Sequence, residues 1–147
     1  MTGAAVPGAA SACTACDGRW PDSADRIAEL RESILYLHTD QFFPGWSVLV
    51  LRRHAAELFE LEPDERARLM DEVSNAARAL KLAFDARKVN YALFGNLLPH
   101  VHWHLIPRLA TDPAPREPVF AVSHAPVQLG PIERDDRIAR ILGRLGP

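Results

Sequence analysis

The sequence is poor in cysteine, carries no large excess of either charge and has no long apolar run. Only two of its 147 residues are cysteines, so a framework of disulfide bonds is not expected. The formal net charge of -2 argues against a broad nucleic-acid-binding surface. No apolar run approaches the roughly 20 residues that a membrane-spanning helix needs. We therefore expect one globular domain whose partners include neither nucleic acid nor a membrane.

The two ends of the chain are expected to lie outside the main domain. Residues 1–12, MTGAAVPGAASA, lack the basic and apolar regions of a signal peptide, and their small residues predict a flexible leader. We therefore expect a cytoplasmic protein with one domain over residues 13–110. Residues 111–147 predict a proline-rich extension that closes with a short amphipathic helix, because Ile138 and Ile141 fall on one side of it.

The two cysteines form a Cys-x-x-Cys pair, Cys13 and Cys16. In a reducing compartment such a pair is more typical of a metal knuckle or a redox site than of a structural disulfide. A redox pair is expected at the start of a helix that follows a buried strand, whereas this pair follows the leader. A metal knuckle is therefore favoured, with a redox pair and unliganded thiols as the alternatives.

The first half of the chain alternates short apolar runs with turn residues. The runs Ile27–Leu30 and Ile34–His38 predict a hairpin. After the turn at Pro44-Gly45, the β-branched and apolar run Ser47–Leu51 predicts a buried strand. Three strands are thus expected before the longest helix.

That helix is expected to begin at Pro63, because proline suits the first helical position. Two more strands, Val89–Phe94 and Val101–Ile106, follow it. Runs of strands separated by one helix predict an α+β fold, in which a long helix packs on an antiparallel sheet of five strands. The apolar stripe of the helix recurs at spacings of three and four, at Leu69, Val73, Ala77, Leu80 and Phe84.

Three of the six histidines alternate with apolar residues in the fifth expected strand, at His100, His102 and His104. Side chains of a strand alternate between its two faces. The three imidazoles are therefore expected on one face, while Val101 and Trp103 lie on the face toward the core.

Three interpretations of this histidine face remain open. An exposed polar face is the least expected, because the alternation is strict. Two histidines that are two residues apart on a strand can share a catalytic zinc ion, provided a third ligand comes from elsewhere. A neutral imidazole is also a good nucleophile when a carbonyl fixes its tautomer, and its neighbours can then donate to phosphoryl oxygens. Of the remaining histidines, His38 is expected at the surface, and His124 lies in the proline-rich extension.

The segment from His100 to Ile106, His-Val-His-Trp-His-Leu-Ile, resembles the His-φ-His-φ-His-φ-φ motif of the histidine-triad (HIT) family, where φ is apolar. Pro44–His54 is similar to the family's Pro-Gly-His-x-Leu-Val-Ile-Pro-Lys-x-His segment, and the resemblance covers about Cys13 to Arg108. It implies a HIT-like fold, a homodimer, and hydrolysis or transfer at the α-phosphate of a nucleotide. A dinucleoside polyphosphate and an adenylyl phosphoramidate are the substrate types that it implies.

The resemblance also implies roles for single residues. His102 is expected to attack phosphorus, which gives a nucleotidyl-histidine intermediate, and His104 to bond a phosphate or leaving-group oxygen, with His100 beside them. Zinc-containing relatives bind a structural metal with the Cys-x-x-Cys pair, the histidine after the third strand and the first triad histidine. The corresponding residues here are Cys13, Cys16, His54 and His100. Two thiolates and two imidazoles suit a closed tetrahedral zinc site.

Three departures from the family pattern fall near the expected substrate, and one of them is a connection from Asn90 to His100 that is shorter than usual. Trp46 stands where many members have a histidine; it cannot accept a hydrogen bond, but it could stack on a base. Asn96-Leu-Leu-Pro99 replaces the family's Gln-Ser/Thr-Val, so the Asn96 amide is expected to replace that of glutamine. Asn90 and Arg108 complete the expected contacts with a purine nucleotide or dinucleotide. The alternative function is a nucleotide-binding protein with little turnover.

Overall fold

The structure, a computed structural model, describes residues 13–147, so the leader expected for residues 1–12 lies outside the described residues. Five strands and two helices make up the regular structure. They are β1 (Arg26–Glu29), β2 (Ser33–Leu37), β3 (Ser47–Leu51), α1 (Pro63–Phe84), β4 (Lys88–Leu93), β5 (His102–Arg108) and α2 (Pro131–Leu142). Within residues 13–147, no helix has the length and apolar content that crossing a membrane requires.

The five strands form one sheet in the order β1-β2-β3-β5-β4, and all neighbours in it are antiparallel. The chain leaves β3, passes through α1 to the edge strand β4, and returns as β5 between β4 and β3. The expected α+β fold, with one long helix on a five-stranded antiparallel sheet, is confirmed.

The strand β5 begins one residue later than the sequence pattern predicts. It starts at His102, so His100 and Val101 precede it. The reason is that the backbone N–H of Val101 donates to the carbonyl of Ala55, beyond the end of β3. Only two of the three triad histidines therefore belong to the strand, and His100 lies in the loop that leads into it.

One face of the sheet and the apolar stripe of α1 form the core. Leu69, Val73 and Leu80 of the helix are almost fully buried there, with Leu49 of β3 and Leu105 of β5. Burial of each such side chain contributes on the order of 1.5–3 kcal/mol. This packing leaves the opposite face of β5, with His102 and His104, free for another use.

The C-terminal segment belongs to the same core. Ile141 of α2 is fully buried in it, and Ile138 packs against it, while Ile132 at the start of the helix is exposed. The helix α2 lies against β1 and α1. Residues beyond 110, expected as an extension, thus close one end of the core.

The turn before β3 depends on a glycine. Gly45 has a φ of 87°, a conformation that side chains with a Cβ rarely adopt, and a Cβ there would lie 2.5 Å from Cε2 of Phe84. The ring of Phe84 at the end of α1 can approach the turn because Gly45 has no side chain. The turn directs the next residue, Trp46, to the histidine face.

Candidate functional site

The candidate site is a cleft of about 660 Å³ on the face of β5 opposite the core. His102 and His104 lie side by side on its floor, with their ring centroids 5.4 Å apart. The antiparallel register fixes them, because His102 pairs with Val50 and His104 with Val48 in the centre of the sheet. The walls include Trp20, Phe94, Asn96 and Phe120. A rigid strand thus presents two imidazoles to a largely apolar cleft.

The backbone fixes the orientation of the His102 ring and the tautomer of its neutral form. Its Nδ1 lies 2.6 Å from the backbone carbonyl of His100. A carbonyl oxygen can only accept, so Nδ1 carries the proton and donates, and the lone pair lies on Nε2. Within residues 13–147, no group hydrogen-bonds to this Nε2. The arrangement suits a nucleophile, since the attacking nitrogen is free and the opposite nitrogen is held.

His104 has the opposite tautomer. The indole Nε1–H of Trp46 donates to its Nδ1 over 3.1 Å. Indole is a donor only, so Nδ1 accepts and the proton of His104 lies on Nε2. Burial, followed by the charges of His102 and His38, lowers the pKa of His104 to about 4. His104 is therefore neutral at physiological pH and offers Nε2–H as a donor.

His38 lies beside this pair, and the expectation that it is a surface residue was wrong. Its ring stacks on Trp46 with centroids 4.0 Å apart, and its centroid is 5.7 Å from that of His104. Burial lowers the pKa of His38. The sequence pattern gave no signal for this position, because His38 follows β2 and reaches the site only through the β2–β3 connection.

A buried glutamine, which sequence reasoning missed, holds that connection. The Gln41 side chain donates through Nε2 to the carbonyls of His38 and Trp46, each over 2.8 Å, and its Oε1 accepts from the backbone N–H of Gly45 at 3.0 Å. Arg137 of α2 donates to the same Oε1 over 2.8 Å. The position of Trp46 therefore depends on a loop that the Gln41 side chain holds together.

A second group of side chains lies where His100 precedes β5. One ligand atom from each of Cys13, Cys16, His54 and His100 lies within 4.8 Å of the others. The Nδ1 of His100 is 3.4 Å from Sγ of Cys13, and the Nδ1 of His54 is 3.4 Å from Sγ of Cys16. Ligands of a tetrahedral zinc ion, at roughly 2.0–2.3 Å from the metal, are separated by about 3.5 Å. The group could therefore hold a metal ion.

The orientation of His100 fits that use. Its Nε2 lies 2.7 Å from the carbonyl of Leu51 and donates to it, so its Nδ1 is unprotonated and directed toward the thiols. Burial is the largest cause that lowers the pKa of His100, which also favours the neutral form that a metal needs. His100 thus serves both groups, because its carbonyl orients His102 and its ring faces the cysteines.

The four residues expected to bind substrate lie in different surroundings. Asn96 is exposed on the wall of the cleft. Trp46 is only 5% exposed and stacks on His38. Stacking of Trp46 on a base stays a prediction. Asn90 and Arg108 line a neighbouring cleft of about 610 Å³ that shares Phe94 and Phe120 with the first.

Arg108 is buried and occupied by protein groups. Its guanidinium pairs with Asp112, donates to Oδ1 of Asn90 over 2.7 Å, and donates to the carbonyls of Glu117 and Ala114. These bonds hold residues 112–117 against the sheet. Contact of Arg108 or Asn90 with a substrate stays a prediction.

The C-terminal segment also supplies a wall of the cleft, which sequence reasoning missed. The ring of Phe120 lies 5.2 Å from His104 and 5.7 Å from Trp46. Farther along, His124 donates to Asp40 over 2.7 Å and stacks on Phe42. These contacts hold the segment that carries Phe120 against the β2–β3 connection.

Comparison with known proteins agrees with this architecture. The HIT domain model matches residues 22–111. A histidine triad protein from Bradyrhizobium japonicum is 33% identical, with a TM-score of 0.74 over 83% of this chain and 92% of that chain. A zinc-bound histidine triad family protein from Mycobacterium smegmatis is 21% identical, with a TM-score of 0.66 over 92% of this chain and 94% of that chain.

A curated relative gives a more distant match. The asymmetrical bis(5'-nucleosyl)-tetraphosphatase of Schizosaccharomyces pombe is 23% identical over 108 residues, which are 70% of this chain. The match spans 59% of the length of that protein.

Proposed function

The chain belongs to the HIT domain family, and we propose that it hydrolyses or transfers the nucleotidyl group of a purine nucleotide derivative by attack at the α-phosphate. A dinucleoside polyphosphate and an adenylyl phosphoramidate are the candidate substrate types. The tautomer of His102 carries the proposal, because its Nδ1–H is bound to the His100 carbonyl and its Nε2 is free at the cleft. The similarity to a bis(5'-nucleosyl)-tetraphosphatase supports the same class of substrate.

The first chemical step forms a bond between Nε2 of His102 and the α-phosphorus. The bond from phosphorus to the leaving group breaks, and the leaving atom takes the electron pair. The imidazole ring becomes positively charged, and the His100 carbonyl, which accepts from Nδ1–H over 2.6 Å, stabilises that charge. The Nε2–H of His104 donates to an oxygen of the phosphoryl group. Neighbouring rings on one rigid strand thus supply an attacking lone pair and a donor.

In the second step, water or another acceptor attacks phosphorus. The bond between Nε2 of His102 and phosphorus breaks, and the electron pair returns to the ring. Water yields a nucleoside monophosphate after it loses a proton. Splitting one displacement into two in this way is the general advantage of a covalent intermediate.

We propose structural zinc at Cys13, Cys16, His54 and His100. The distances between their ligand atoms support it, and so does the zinc-bound relative from Mycobacterium smegmatis. The metal would hold the Cys-x-x-Cys loop against the residue whose carbonyl orients His102. Its part in the reaction would therefore be to position His100.

We also propose a homodimer and contacts from Asn96, Asn90 and Arg108 to the substrate. The edge strand β4 supports the dimer, because an unpaired strand edge with the exposed ring of Tyr91 needs cover. Asn96 lies on the wall of the same cleft that has His102 and His104 on its floor. The other two residues line the neighbouring cleft, where a second nucleotide moiety would extend.

A panel experiment tests the proposal. Purified protein is incubated with dinucleoside polyphosphates and adenylyl phosphoramidates, and mass spectrometry follows products and nucleotide adducts on the protein. Release of a nucleoside monophosphate, with a nucleotidyl adduct on His102, is the expected result. Tight nucleotide binding without product or adduct would favour the alternative, a nucleotide-binding protein with little turnover.

A further inference from the structure

We propose that Trp46 is a positioning residue that makes His104 a hydrogen-bond donor but not a proton donor, and thereby favours substrates whose leaving group departs as a phosphate anion. The leaving-group preference rests on the proposed function. The assignment of the His104 tautomer does not, because it follows from the bond between the two side chains.

The second nitrogen of His104 decides whether the ring can act as an acid. An imidazole that gives up a proton at neutral pH does so as imidazolium, with protons on both nitrogens. The indole N–H of Trp46 points at Nδ1 of His104 over 3.1 Å. A proton on that nitrogen would place two donors face to face, so the bond to Trp46 opposes formation of the imidazolium.

The Trp46 side chain cannot turn away from His104. Its side chain is 5% exposed, and it stacks on His38 with a centroid distance of 4.0 Å. Phe43 and Phe120 meet its ring from other directions, at 6.3 and 5.7 Å. The Gln41 side chain binds its backbone carbonyl. The indole is therefore packed in one orientation, and its N–H has His104 as its partner.

The neighbours of His104 do not stabilise its imidazolium form. His102 and His38 lie 5.4 and 5.7 Å away between ring centroids, and the rings of Phe120 and Trp46 also pack against His104. Within residues 13–147, no carboxylate bonds to His104. No anionic partner thus offsets the effect of Trp46 on the ring.

The consequence differs between two kinds of leaving group. When a P–O bond to a polyphosphate breaks, the leaving oxygen keeps the electron pair and departs as an anion that needs no proton. When a P–N bond to an amine breaks, the nitrogen must gain a proton as it leaves. Neutral His104 could supply that proton only by becoming an imidazolate, which is too basic to form at neutral pH. Dinucleoside polyphosphates, in which the bond that breaks is a phosphoanhydride, are therefore the preferred class of substrate.

Nitrogen NMR of the full-length protein tests the tautomer. Protein with ¹⁵N-labelled histidine is compared with His104→Asn to assign the His104 signals. We expect unprotonated Nδ1 and protonated Nε2 in the unmodified protein, and a mixture of tautomers in Trp46→Phe, which removes the indole N–H. Trp103→Phe is the matched control, because Trp103 lies on the opposite face of β5, and it should leave the His104 signals unchanged. Protonated Nδ1 in the unmodified protein would overturn the assignment, even if no variant folds.

Kinetics test the preference for a leaving group. The probes are a diadenosine polyphosphate and an adenosine 5'-phosphoramidate, which share the nucleotidyl group. In Trp46→Phe, Nδ1 of His104 no longer faces a donor, so the ratio of phosphoramidate to polyphosphate kcat should rise. The rise should be smaller than the roughly 10²-fold effect of a full general acid, because burial still keeps the pKa of His104 low. Trp103→Phe should keep the ratio of the unmodified protein.

The outcomes of the two experiments separate the claims. An unchanged ratio in Trp46→Phe, or faster turnover of the phosphoramidate by the unmodified protein, would overturn the leaving-group preference. Turnover of neither probe would overturn the proposed function and, with it, this preference. The NMR result would still decide whether Trp46 sets the tautomer of His104.

Discussion

The indole N–H of Trp46 donates to Nδ1 of His104 over 3.1 Å, although the two residues are 58 positions apart in the sequence. On the same strand, the His100 carbonyl accepts from Nδ1 of His102. One partner accepts and the other donates, so the two neighbouring imidazoles have opposite tautomers. His102 therefore presents a lone pair to the cleft, and His104 presents an N–H.

The state of His104 predicts how stability depends on pH. Burial lowers its pKa from 6.5 to about 4, so between these values the unfolded chain binds a proton that the folded protein does not. The contribution of neutral His104 to the free energy of unfolding is present above pH 6.5 and is lost as the pH falls toward 4. We expect the free energy of unfolding, from urea titrations at pH 7.5 and 5.5, to fall less in His104→Asn than in the unmodified protein.

His124 provides a control of opposite sign. The hydrogen bond to Asp40 raises the pKa of His124. The stabilisation of the fold by protonated His124 is therefore present at low pH and is lost as the pH rises through this raised pKa. His124→Asn should therefore make the fall in stability between pH 7.5 and 5.5 steeper. Equal falls in all three proteins would contradict the protonation states assigned to both residues.

The C-terminal helix should be needed for the stability of the whole domain. Ile141 is fully buried in the core shared by α1 and the sheet, and its truncation to alanine leaves a cavity. Ile141→Ala should lower the free energy of unfolding by about 2–5 kcal/mol. Ile132→Ala, in the same helix but 79% exposed, should change it by less than about 0.5 kcal/mol. Denaturant titration gives both values, and equal effects would argue against a shared core.

The sequence predicts the fold well because periodicity and turn residues are local signals. The apolar stripe of α1 and the alternation in β5 each depend on residues a few positions apart. The Cys-x-x-Cys pair was found through its spacing, and His54 through the resemblance to the HIT family. In each case the physical cause lies within a short segment or a known pattern.

The contacts that shape the cleft could not be found in this way. His38 and Gln41 lie in the connection between β2 and β3, and Phe120 follows several prolines, so none has a periodic pattern around it. Each reaches the histidines through tertiary packing between distant segments. Trp46 is the clearest case, because its effect depends on which atom of His104 lies near its N–H. Residue type and spacing do not encode that distance.

The metal group predicts a stoichiometric zinc ion. Protein purified without added metal should contain about one zinc per chain, as a single site with four ligands requires. Cys16→Ser should lower both the zinc content and the midpoint of thermal unfolding, since metal binding to such a site contributes to folding. A chelator should destabilise the unmodified protein and have little further effect on the variant. Fully reduced protein that lacks metal would contradict the prediction.

The exposed edge of the sheet predicts a dimer. Light scattering at micromolar concentration should give twice the chain mass, because β4 is an edge strand and Tyr91 on it is 49% exposed. Tyr91→Asp should shift the protein toward the monomer. Phe59→Asp is the matched control, because Phe59 is exposed but lies in the segment before α1, and it should remain dimeric. A monomer in the unmodified protein would refute the prediction.

The histidine pair predicts unequal effects of two substitutions on catalysis. His102→Ala and His102→Asn should abolish turnover and leave nucleotide binding largely intact, because removing the attacking nitrogen forfeits both half-reactions. His104→Ala should lower kcat by about 10²–10⁴-fold, as expected for the loss of one positioned donor. Steady-state kinetics and equilibrium binding of the nucleotide give these values.

Rapid quench separates the nucleophile from a residue that only binds. With labelled substrate, the unmodified protein should form an acid-labile, base-stable phosphoramidate on His102, and His104→Ala should form the same adduct more slowly. His100→Ala should differ from both, because it removes a ring that faces the cysteines and leaves the carbonyl that accepts from His102. We expect it to lower zinc content and stability more than the rate of the chemical step. If His102→Ala turned substrate over at the unmodified rate, Nε2 of His102 could not be the attacking atom.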